Sequence, residues 1–341
     1  MRFIARPSRL ASVASGIAVL LTLAASPSLA FAQGPAGGLR DAARAFARRQ
    51  VEASLRAMNR PFPAFRIIGN IYYVGAANTA VYLIATPEGH ILINSGFDET
   101  VPLIRASMKK LGFRLDDVKI LLANHAHLDH AGGHAALHRI TGAKIVMSQA
   151  DADLLARGGR GDFLPAAEDV VDYPPAHADQ IIGDGDTVSL GGSVLTAHLT
   201  PGHTQGCTTW TMTVDDEQGM RRDVVFYGGT TVLVGVSLVE NPKYPAIAED
   251  YERTFAVLEK LPCDVFLAPH GTHFDLAAKR RRLEAGERPN PFIDPEGYRA
   301  FVKAGREAFR RQLARERPGP AKRKDDAPAP STSKASESKE K

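Results

Sequence analysis

Residues 124–133 read Asn124-His125-Ala126-His127-Leu128-Asp129-His130-Ala131-Gly132-Gly133. The stretch follows an apolar run, residues 119–123, and places four potential metal ligands within six residues: His125, His127, Asp129 and His130. A loop directly after a buried strand is held rigidly at its start. Imidazoles two residues apart can then converge on one ion while Asp129 and His130 face another. The stretch therefore predicts a metal site at a strand-to-loop junction rather than a solvated polar loop.

Two further histidines stand where a predicted strand gives way to a loop. His203 lies in Thr200-Pro201-Gly202-His203-Thr204, and His270 lies in Leu267-Ala268-Pro269-His270-Gly271. Proline and glycine hold the backbone of both loops in a tight turn, which suits a side chain aimed at one point. With the first stretch they supply three imidazoles for one zinc ion, and Asp129 with two imidazoles for a second. His273 is the alternative to His270, which we prefer because it directly follows the strand.

The rest of the chain alternates β-rich runs with helical segments. We predict strands over residues 67–74, 80–85, 90–94, 118–123, 143–147, 187–190, 194–199, 208–214, 224–227 and 264–268. We predict helices over residues 99–110, 133–140, 248–261, 274–283 and 295–315. Strands followed by helices, twice over, indicate an α/β layered body. Residues 157–178 are rich in glycine and proline and predict a long functional loop over the site.

The two ends of the chain differ from this body. Three arginines precede an apolar run over residues 10–25, and Ala30-Phe31-Ala32 then forms the small-residue pattern that signal peptidase cleaves. We predict a signal peptide over residues 1–32, followed by a linker and helix over residues 33–64. An uncleaved anchor is the alternative, but the apolar run is shorter than the roughly 20 residues that span a bilayer. Residues 318–341 predict a disordered tail.

Charge and cysteine content exclude other classes of function. Residues 1–32 carry three arginines and no acid, and residues 318–341 carry six basic against four acidic residues; without both segments the formal charge falls from +4 to −1. A nucleic-acid-binding surface is therefore not indicated. The two cysteines, Cys207 and Cys263, form no CxxC motif, and the sequence leaves open whether they pair in an oxidising compartment.

The motif His-x-His-x-Asp-His at residues 125–130, a downstream Pro-Gly-His-Thr and a later lone histidine resemble the metallo-β-lactamase superfamily. The resemblance extends from about Phe65 to Leu283. It implies an αββα sandwich, in which two mixed β-sheets lie face to face with helices on the outer faces, and a catalytic domain over residues 65–317. It leaves the substrate open, because members of the superfamily cleave lactams, lactones, thioesters and RNA, or oxidise persulfides.

Three local features are similar to subclass B3 of that superfamily. His130 stands where subclass B1 has arginine. Phe226-Tyr227-Gly228-Gly229-Thr230 lacks both the bridging aspartate of thioester and lactone hydrolases and the cysteine of subclass B1. Wider similarity covers residues 61–75, 201–210 and 241–245. Together with the export signal, these features favour a B3 β-lactamase.

The resemblance implies a ligand set and a mechanism. His125, His127 and His203 would hold one Zn²⁺, and Asp129, His130 and His270 a second. Zinc lowers the pKa of bound water to about 7, so metal-bound hydroxide, oriented by Asp129, would attack the lactam carbonyl. No serine or cysteine nucleophile is then required. We therefore expect no covalent acyl-enzyme.

Substrate recognition is less well supported by the sequence. Some B3 enzymes bind the substrate carboxylate with two hydroxyls, and gapless alignment places Thr230 at one of these positions but Val232 at the other. Phe163 in the long loop either forms an apolar wall over the substrate or packs against the body. Asn94-Ser95-Gly96 stands where relatives often have an Asp-Gly pair, so the support of the metal ligands is expected to differ.

We accordingly expect a dizinc hydrolase that opens the β-lactam amide of penicillins, cephalosporins and carbapenems and confers antibiotic resistance. The alternatives are a lactone or thioester hydrolase of the same superfamily, or an amidohydrolase whose substrate is not an antibiotic. We expect a periplasmic or secreted monomer that binds a small molecule, binds no nucleic acid and is not inserted in a membrane after cleavage. The order of preference among β-lactams depends on loops that the sequence does not define.

Overall fold

The computed structural model describes residues 53–164 and 172–317. The predicted signal peptide, the start of the predicted linker and helix, and the predicted tail lie outside these residues, as does part of the predicted loop. Residues 53–58 are helical and precede the first sheet. Within the described ranges, no helix is long and apolar enough to cross a membrane.

The first sheet contains seven strands in the order β1-β2-β3-β4-β5-β6-β7. They are β1 Phe65–Ile68, β2 Ile71–Tyr73, β3 Tyr82–Thr86, β4 Gly89–Ile93, β5 Val118–Leu122, β6 Lys144–Ser148 and β7 Gln180–Ile182. Neighbours are antiparallel from β1 to β4 and parallel from β4 to β7. The strand predicted over residues 67–74 is wrong in extent, because Gly69 adopts a left-handed φ of 52° and turns the chain between β1 and β2.

The second sheet contains five strands in the order β12-β11-β10-β9-β8. They are β8 Thr187–Leu190, β9 Ser193–Leu199, β10 Thr208–Asp215, β11 Arg221–Phe226 and β12 Val265–Leu267. All neighbours are antiparallel except β11 and β12, which are parallel. Both sheets are therefore mixed, as predicted.

Within residues 59–164 and 172–317 the structure contains seven α-helices. They are α1 Val101–Lys110, α2 Leu128–Ala131, α3 His134–Thr141, α4 Gln149–Ala156, α5 Ile247–Leu258, α6 Leu276–Glu284 and α7 Pro295–Glu316. Pro295 occupies the first turn of α7, and Asp294 caps that helix by accepting a hydrogen bond from Gly297 N. The five predicted helices are all present, and α2 and α4 were not predicted.

The main core lies between the two sheets. Alternate residues of the first sheet, such as Tyr82 and Ile84, face Trp210 and Met212 of the second in one buried cluster. The intervening residue Leu83 faces away and packs with helices α1 and α3 in a second cluster. Because side chains alternate across a strand, one sheet can bury both faces only if it carries apolar residues at consecutive positions.

Helices cover the outer face of the second sheet as well. Phe266 of β12 contacts the rings of Tyr298 and Phe301 on α7, with centroids 5.5 and 5.2 Å apart. Helix α5 packs beside α7, where Tyr251 and Phe309 stack at 5.2 Å. The predicted αββα sandwich is confirmed.

Candidate metal centre

The motif at residues 124–130 lies at the carboxyl end of β5, between the parallel strands β4 and β6. Its backbone is fixed before the first ligand, because Trp210 Nε1 donates to Ala123 O at 3.0 Å. It is fixed again inside the motif, where Tyr173 Oη donates to Ala126 O at 2.5 Å. His127 is the N-cap residue of α2, so the next turn of chain is helical and carries Asp129 and His130. The histidines of the motif therefore project from a rigid junction.

Three imidazoles form the first donor group, which we call the first triad: His125, His127 and His203. One ligand atom from each lies within 4.8 Å of the others. The ring centroids of His125 and His203 are 4.5 Å apart, and both are 4.8 Å from that of His127. The sequence predicted these three residues, and the fold brings them together.

Hydrogen bonds to the outer nitrogens decide which ring atoms of the first triad remain available. His203 Nδ1 lies 2.7 Å from Thr231 O, and since a carbonyl only accepts, Nδ1 carries the proton. His127 Nε2 lies 3.1 Å from Asp162 Oδ2. These contacts leave His203 Nε2 and His127 Nδ1 for a metal ion. Among the described residues, neither buried nitrogen of His125 has a hydrogen-bond partner, which fits a metal ligand.

The second triad consists of Asp129, His130 and His270. Asp129 Oδ2 lies 3.2 Å from His130 Nε2 and 3.6 Å from His270 Nε2. His270 Nδ1 donates to the main-chain oxygen of Asn78 at 3.2 Å, which leaves Nε2 facing the carboxylate. His273 stands outside this triad, with its ring 4.9 Å from that of His270. The structure thus groups His270, not His273, with the motif.

The pKa shifts favour the protonation states that bind metal. Burial lowers the pKa of His125 far below its ordinary value, that of His203 to about 3 and that of His270 to about 4. Burial raises the pKa of Asp129, but His130 and His270 lower it more, so the carboxylate is ionised. Neutral imidazoles and an ionised carboxylate are the ligand forms that zinc requires.

His127 behaves differently from the other imidazoles. Burial lowers its pKa, but the hydrogen bond and negative charge of Asp162 outweigh burial and raise it. A metal ion at Nδ1 would compete with protonation there, while Nε2–H would still donate to Asp162.

Asp151 is a buried carboxylate that the sequence analysis missed. Its Oδ2 accepts from Ala126 N at 3.0 Å and Thr204 Oγ1 at 3.1 Å, and its Oδ1 accepts from Gly206 N at 3.2 Å. Burial raises its pKa to about 6. Asp151 therefore joins the loop of His125 and His127 to the loop of His203. Its position on α4 gave no motif by which to find it.

Neutral side chains support the start of the motif. Asn94, at a left-handed φ of 65°, donates to Asn124 Oδ1 at 2.8 Å and accepts from Asn124 N at 2.9 Å. Ser95 Oγ donates to His130 O at 3.1 Å, and Ser95 N donates to the same oxygen at 2.8 Å. The expected difference at Asn94-Ser95-Gly96 is thus an amide and a hydroxyl in place of a carboxylate.

Comparisons with known proteins agree with this geometry. The family model of the metallo-beta-lactamase superfamily matches residues 74–215. The native metallo-beta-lactamase FEZ-1 from Legionella gormanii is 46% identical, with a TM-score of 0.74 over 76% of this chain and 98% of that chain. The chain belongs to the metallo-β-lactamase superfamily.

Other known proteins show similarity to different extents. BJP-1, a subclass B3 metallo-beta-lactamase of Bradyrhizobium japonicum, is 40% identical, with a TM-score of 0.71 over 76% of this chain and 96% of that chain. An atrochrysone carboxyl ACP thioesterase of Aspergillus fumigatus is 25% identical over 60% of this chain and 54% of its own length. The chain spans about half the length of the curated relatives it matches. The predicted similarity to subclass B3 is confirmed, and the comparisons support a hydrolase of the superfamily.

The segment after β11 contains the predicted substrate residue Thr230. Gly229 must lack a side chain, because a Cβ there would lie 2.9 Å from His203 Cδ2. Thr230 is buried, and its hydroxyl is hydrogen-bonded to Tyr227 Oη. Its role in substrate binding stays a prediction.

Phe163 is buried in the main core, and its ring contacts that of Tyr244 at 5.1 Å. This placement favours the packing alternative over an apolar wall, although its substrate role also stays a prediction. Cys207 and Cys263 are both free thiols, and Cys207 is buried.

Proposed function

We propose that this chain is a dizinc β-lactamase that hydrolyses the β-lactam amide bond. The observation that carries the proposal is the pair of adjacent triads: three imidazoles in one, and two imidazoles with a carboxylate in the other. Residues 226–230 add no carboxylate or thiol to this set. Imidazole-rich donor sets suit zinc, whereas magnesium and calcium prefer oxygen ligands.

The identity and coverage of the similar proteins support a β-lactam substrate over a thioester. FEZ-1 and BJP-1 share 46% and 40% identity with the chain over nearly their whole length. The thioesterase shares 25% identity over about half of its length.

In the proposed site, His125, His127 and His203 would hold one zinc ion, and Asp129, His130 and His270 would hold the other. When bound at these residues, zinc would act as a Lewis acid and lower the pKa of coordinated water to about 7. The Asp129 carboxylate would orient the attacking water by accepting a hydrogen bond from it. Cys207 is buried, and burial raises the pKa of its thiol, which disfavours the nucleophilic thiolate; we propose no covalent acyl-enzyme.

We further propose that Thr230 binds the carboxylate of the substrate. A hydroxyl has one proton to donate and two lone pairs. If Tyr227 Oη donates to Thr230 Oγ1, the threonine proton is left for an anionic ligand.

We propose that the protein is periplasmic or secreted after signal peptidase cleaves the bond between Ala32 and Gln33. Residues 1–32 support this with their basic start, apolar run and small-residue cleavage pattern. Mass spectrometry of the protein secreted by an expression host is expected to find a mature chain that begins at Gln33. A chain that retains Met1 would contradict cleavage. We propose that the mature protein is a monomer, and that antibiotic resistance is its biological effect.

The second candidate is a thioester or lactone hydrolase, which the thioesterase relative favours. The deciding experiment measures hydrolysis of a carbapenem, a cephalosporin, a thioester and a lactone by the purified protein, before chelation, after chelation and after addition of zinc. We expect chelator-sensitive turnover of the β-lactams that zinc restores. Faster turnover of the thioester or lactone than of either β-lactam would assign the second function.

A further inference from the structure

Asp162 is a nearly buried carboxylate directly behind the first triad. Its side chain is 9% exposed, and its Oδ2 lies 3.1 Å from His127 Nε2. Its Oδ1 accepts from Phe163 N at 2.7 Å, which fixes the rotation of the carboxylate. Both oxygens are thus engaged, and neither is free to serve as a metal ligand without breaking one of these hydrogen bonds.

Hydrogen bonds connect the backbone of Asp162 to Lys243 and, through Lys243, to the loop that carries His203. Lys243 Nζ donates to Asp162 O at 3.0 Å, and Gln205 Nε2 donates to Lys243 O at 3.2 Å. The ring of Phe163 packs against Tyr244. Because Gln205 lies two residues after His203, these contacts place Asp162 relative to both loops that supply the first triad.

We propose that Asp162 is a positioning residue for the first metal ion. It accepts Nε2–H of His127, which fixes the tautomer of that ring and presents Nδ1 towards His125 and His203. It also supplies negative charge to a ligand set made of neutral imidazoles. The proposal rests on the metal sites of the proposed function but on no particular substrate.

The physical basis is the effect of a carboxylate on its imidazole partner. A carboxylate that accepts the outer N–H makes the other ring nitrogen more basic and restricts rotation of the ring. His203 and His270 have only neutral carbonyl oxygens in this position, from Thr231 and Asn78. Loss of such an outer partner typically weakens metal binding by roughly 10- to 100-fold.

The alternative is that Asp162 is only an ion-pair partner that stabilises the fold. Three variants of the full-length protein separate the two roles. Asp162→Ala removes the carboxylate, and Asp162→Asn keeps its shape and one acceptor. The matched control is Asp172→Asn, which removes a carboxylate that is paired with Arg160. Lys243→Met tests whether looser attachment of the loop is enough.

The experiment measures zinc affinity by competition with a chromogenic chelator, the visible spectrum of the Co²⁺-substituted protein, and the melting temperature of the metal-free protein. We expect Asp162→Ala to bind its tighter zinc roughly 10- to 100-fold more weakly. Its Co²⁺ spectrum should change and its metal-free melting temperature should stay close to that of the wild type. Asp162→Asn should bind with intermediate affinity, and Asp172→Asn should bind like the wild type. Lys243→Met keeps the carboxylate and should lose less affinity than Asp162→Ala.

Several results would overturn the proposal. These are unchanged zinc affinity and Co²⁺ spectrum in Asp162→Ala, an equal loss in Lys243→Met, or a wild-type protein that binds no zinc. If Asp162→Ala does not fold, wild-type affinity in Asp162→Asn together with an unchanged spectrum has the same meaning. A wild-type protein that binds two zinc ions but leaves β-lactams intact would contradict the proposed function alone.

Discussion

The first and second triads use the same ring type but receive their negative charge differently. The second triad contains its carboxylate, since Asp129 lies 3.2 and 3.6 Å from the nitrogens of His130 and His270. The first triad contains only imidazoles, and its carboxylates lie behind it: Asp162 on His127, and Asp151 on the backbone of both loops. A carboxylate that is itself a ligand acts on the metal ion directly. A carboxylate behind a ligand acts on the ion through the imidazole ring or through the loop that carries it.

The comparison implies that the first triad depends on a wider network than the second. Contacts behind it join separate segments of the chain: Tyr173 Oη donates to Ala126 O, and Thr204 Oγ1 donates to Asp151 on α4. His270 depends on one short loop, in which Asn78 accepts from both His270 Nδ1 and Thr272 N. Substitutions in and around the two triads can test this difference.

The largest effect is expected from His203→Ala, which removes an imidazole of the first triad. Loss of one of three ligands should cost several kcal/mol of transition-state stabilisation, or a fall in kcat/KM of about 10³-fold or more. Steady-state hydrolysis of a cephalosporin and zinc content per chain measure this. His198→Ala is the control, because that histidine is half-buried on β9 and lies 2.9 Å from Thr211 Oγ1. Near-normal activity in His203→Ala would contradict the assignment.

The next effect is expected from His270→Ala in the second triad. Asp129 and His130 remain, so we expect the protein to retain about one zinc per chain and part of its activity. Zinc analysis after dialysis and the rate at saturating zinc measure this. The control is His273→Ala, which should leave the zinc content at two. Loss of both ions in His270→Ala would show that the two triads cannot be occupied independently.

A smaller effect on binding but a clear effect on stability is expected from Asp151→Asn. An amide NH₂ would face either Gly206 N or Ala126 N, so buried donors would lose an acceptor at a cost of about 1–3 kcal/mol. The melting temperature with chelator present should fall by roughly 2–4 °C per kcal/mol. Asp153→Asn, on the exposed side of the same helix, is the matched control. Equal melting temperatures of the two variants would contradict this role for Asp151.

The smallest effect is expected from Asn78→Ala. The side-chain acceptor of Thr272 N is lost, but the main-chain oxygen that accepts from His270 remains. The loss of one partly exposed hydrogen bond costs about 1 kcal/mol, so zinc affinity at the second triad should fall by less than about tenfold. Chelator competition measures this. A loss as large as that in His270→Ala would mean that the side chain itself holds the loop.

Much of the architecture was predictable because its causes are local. Strands and helices follow from the periodicity of apolar residues, and β5, α1 and α5 lie close to their predicted ranges. The strand predicted over residues 67–74 was too long because a continuous apolar run conceals the turn at Gly69. The residues of both predicted triads lie close together, because they stand on the loops, and on the short helix α2, that follow β5, β9 and β12.

The residues behind the triads could not be found in the same way. Asp151 stands in an ordinary helical sequence, and Asp162 in a glycine-rich loop, and neither forms a motif with the histidines. Their roles arise from contacts between residues that are 25 to 55 positions apart in the chain.

The sequence by itself determined the layered fold class and the six candidate donor residues, since hydrophobic periodicity and clustered ligands are encoded over short stretches. Only the tertiary structure decided which ring nitrogens stay free of hydrogen bonds to the surrounding protein. It also decided that carboxylates stand behind one triad and within the other. Those properties depend on distances between loops at the ends of different strands, and packing of the whole sandwich sets these distances.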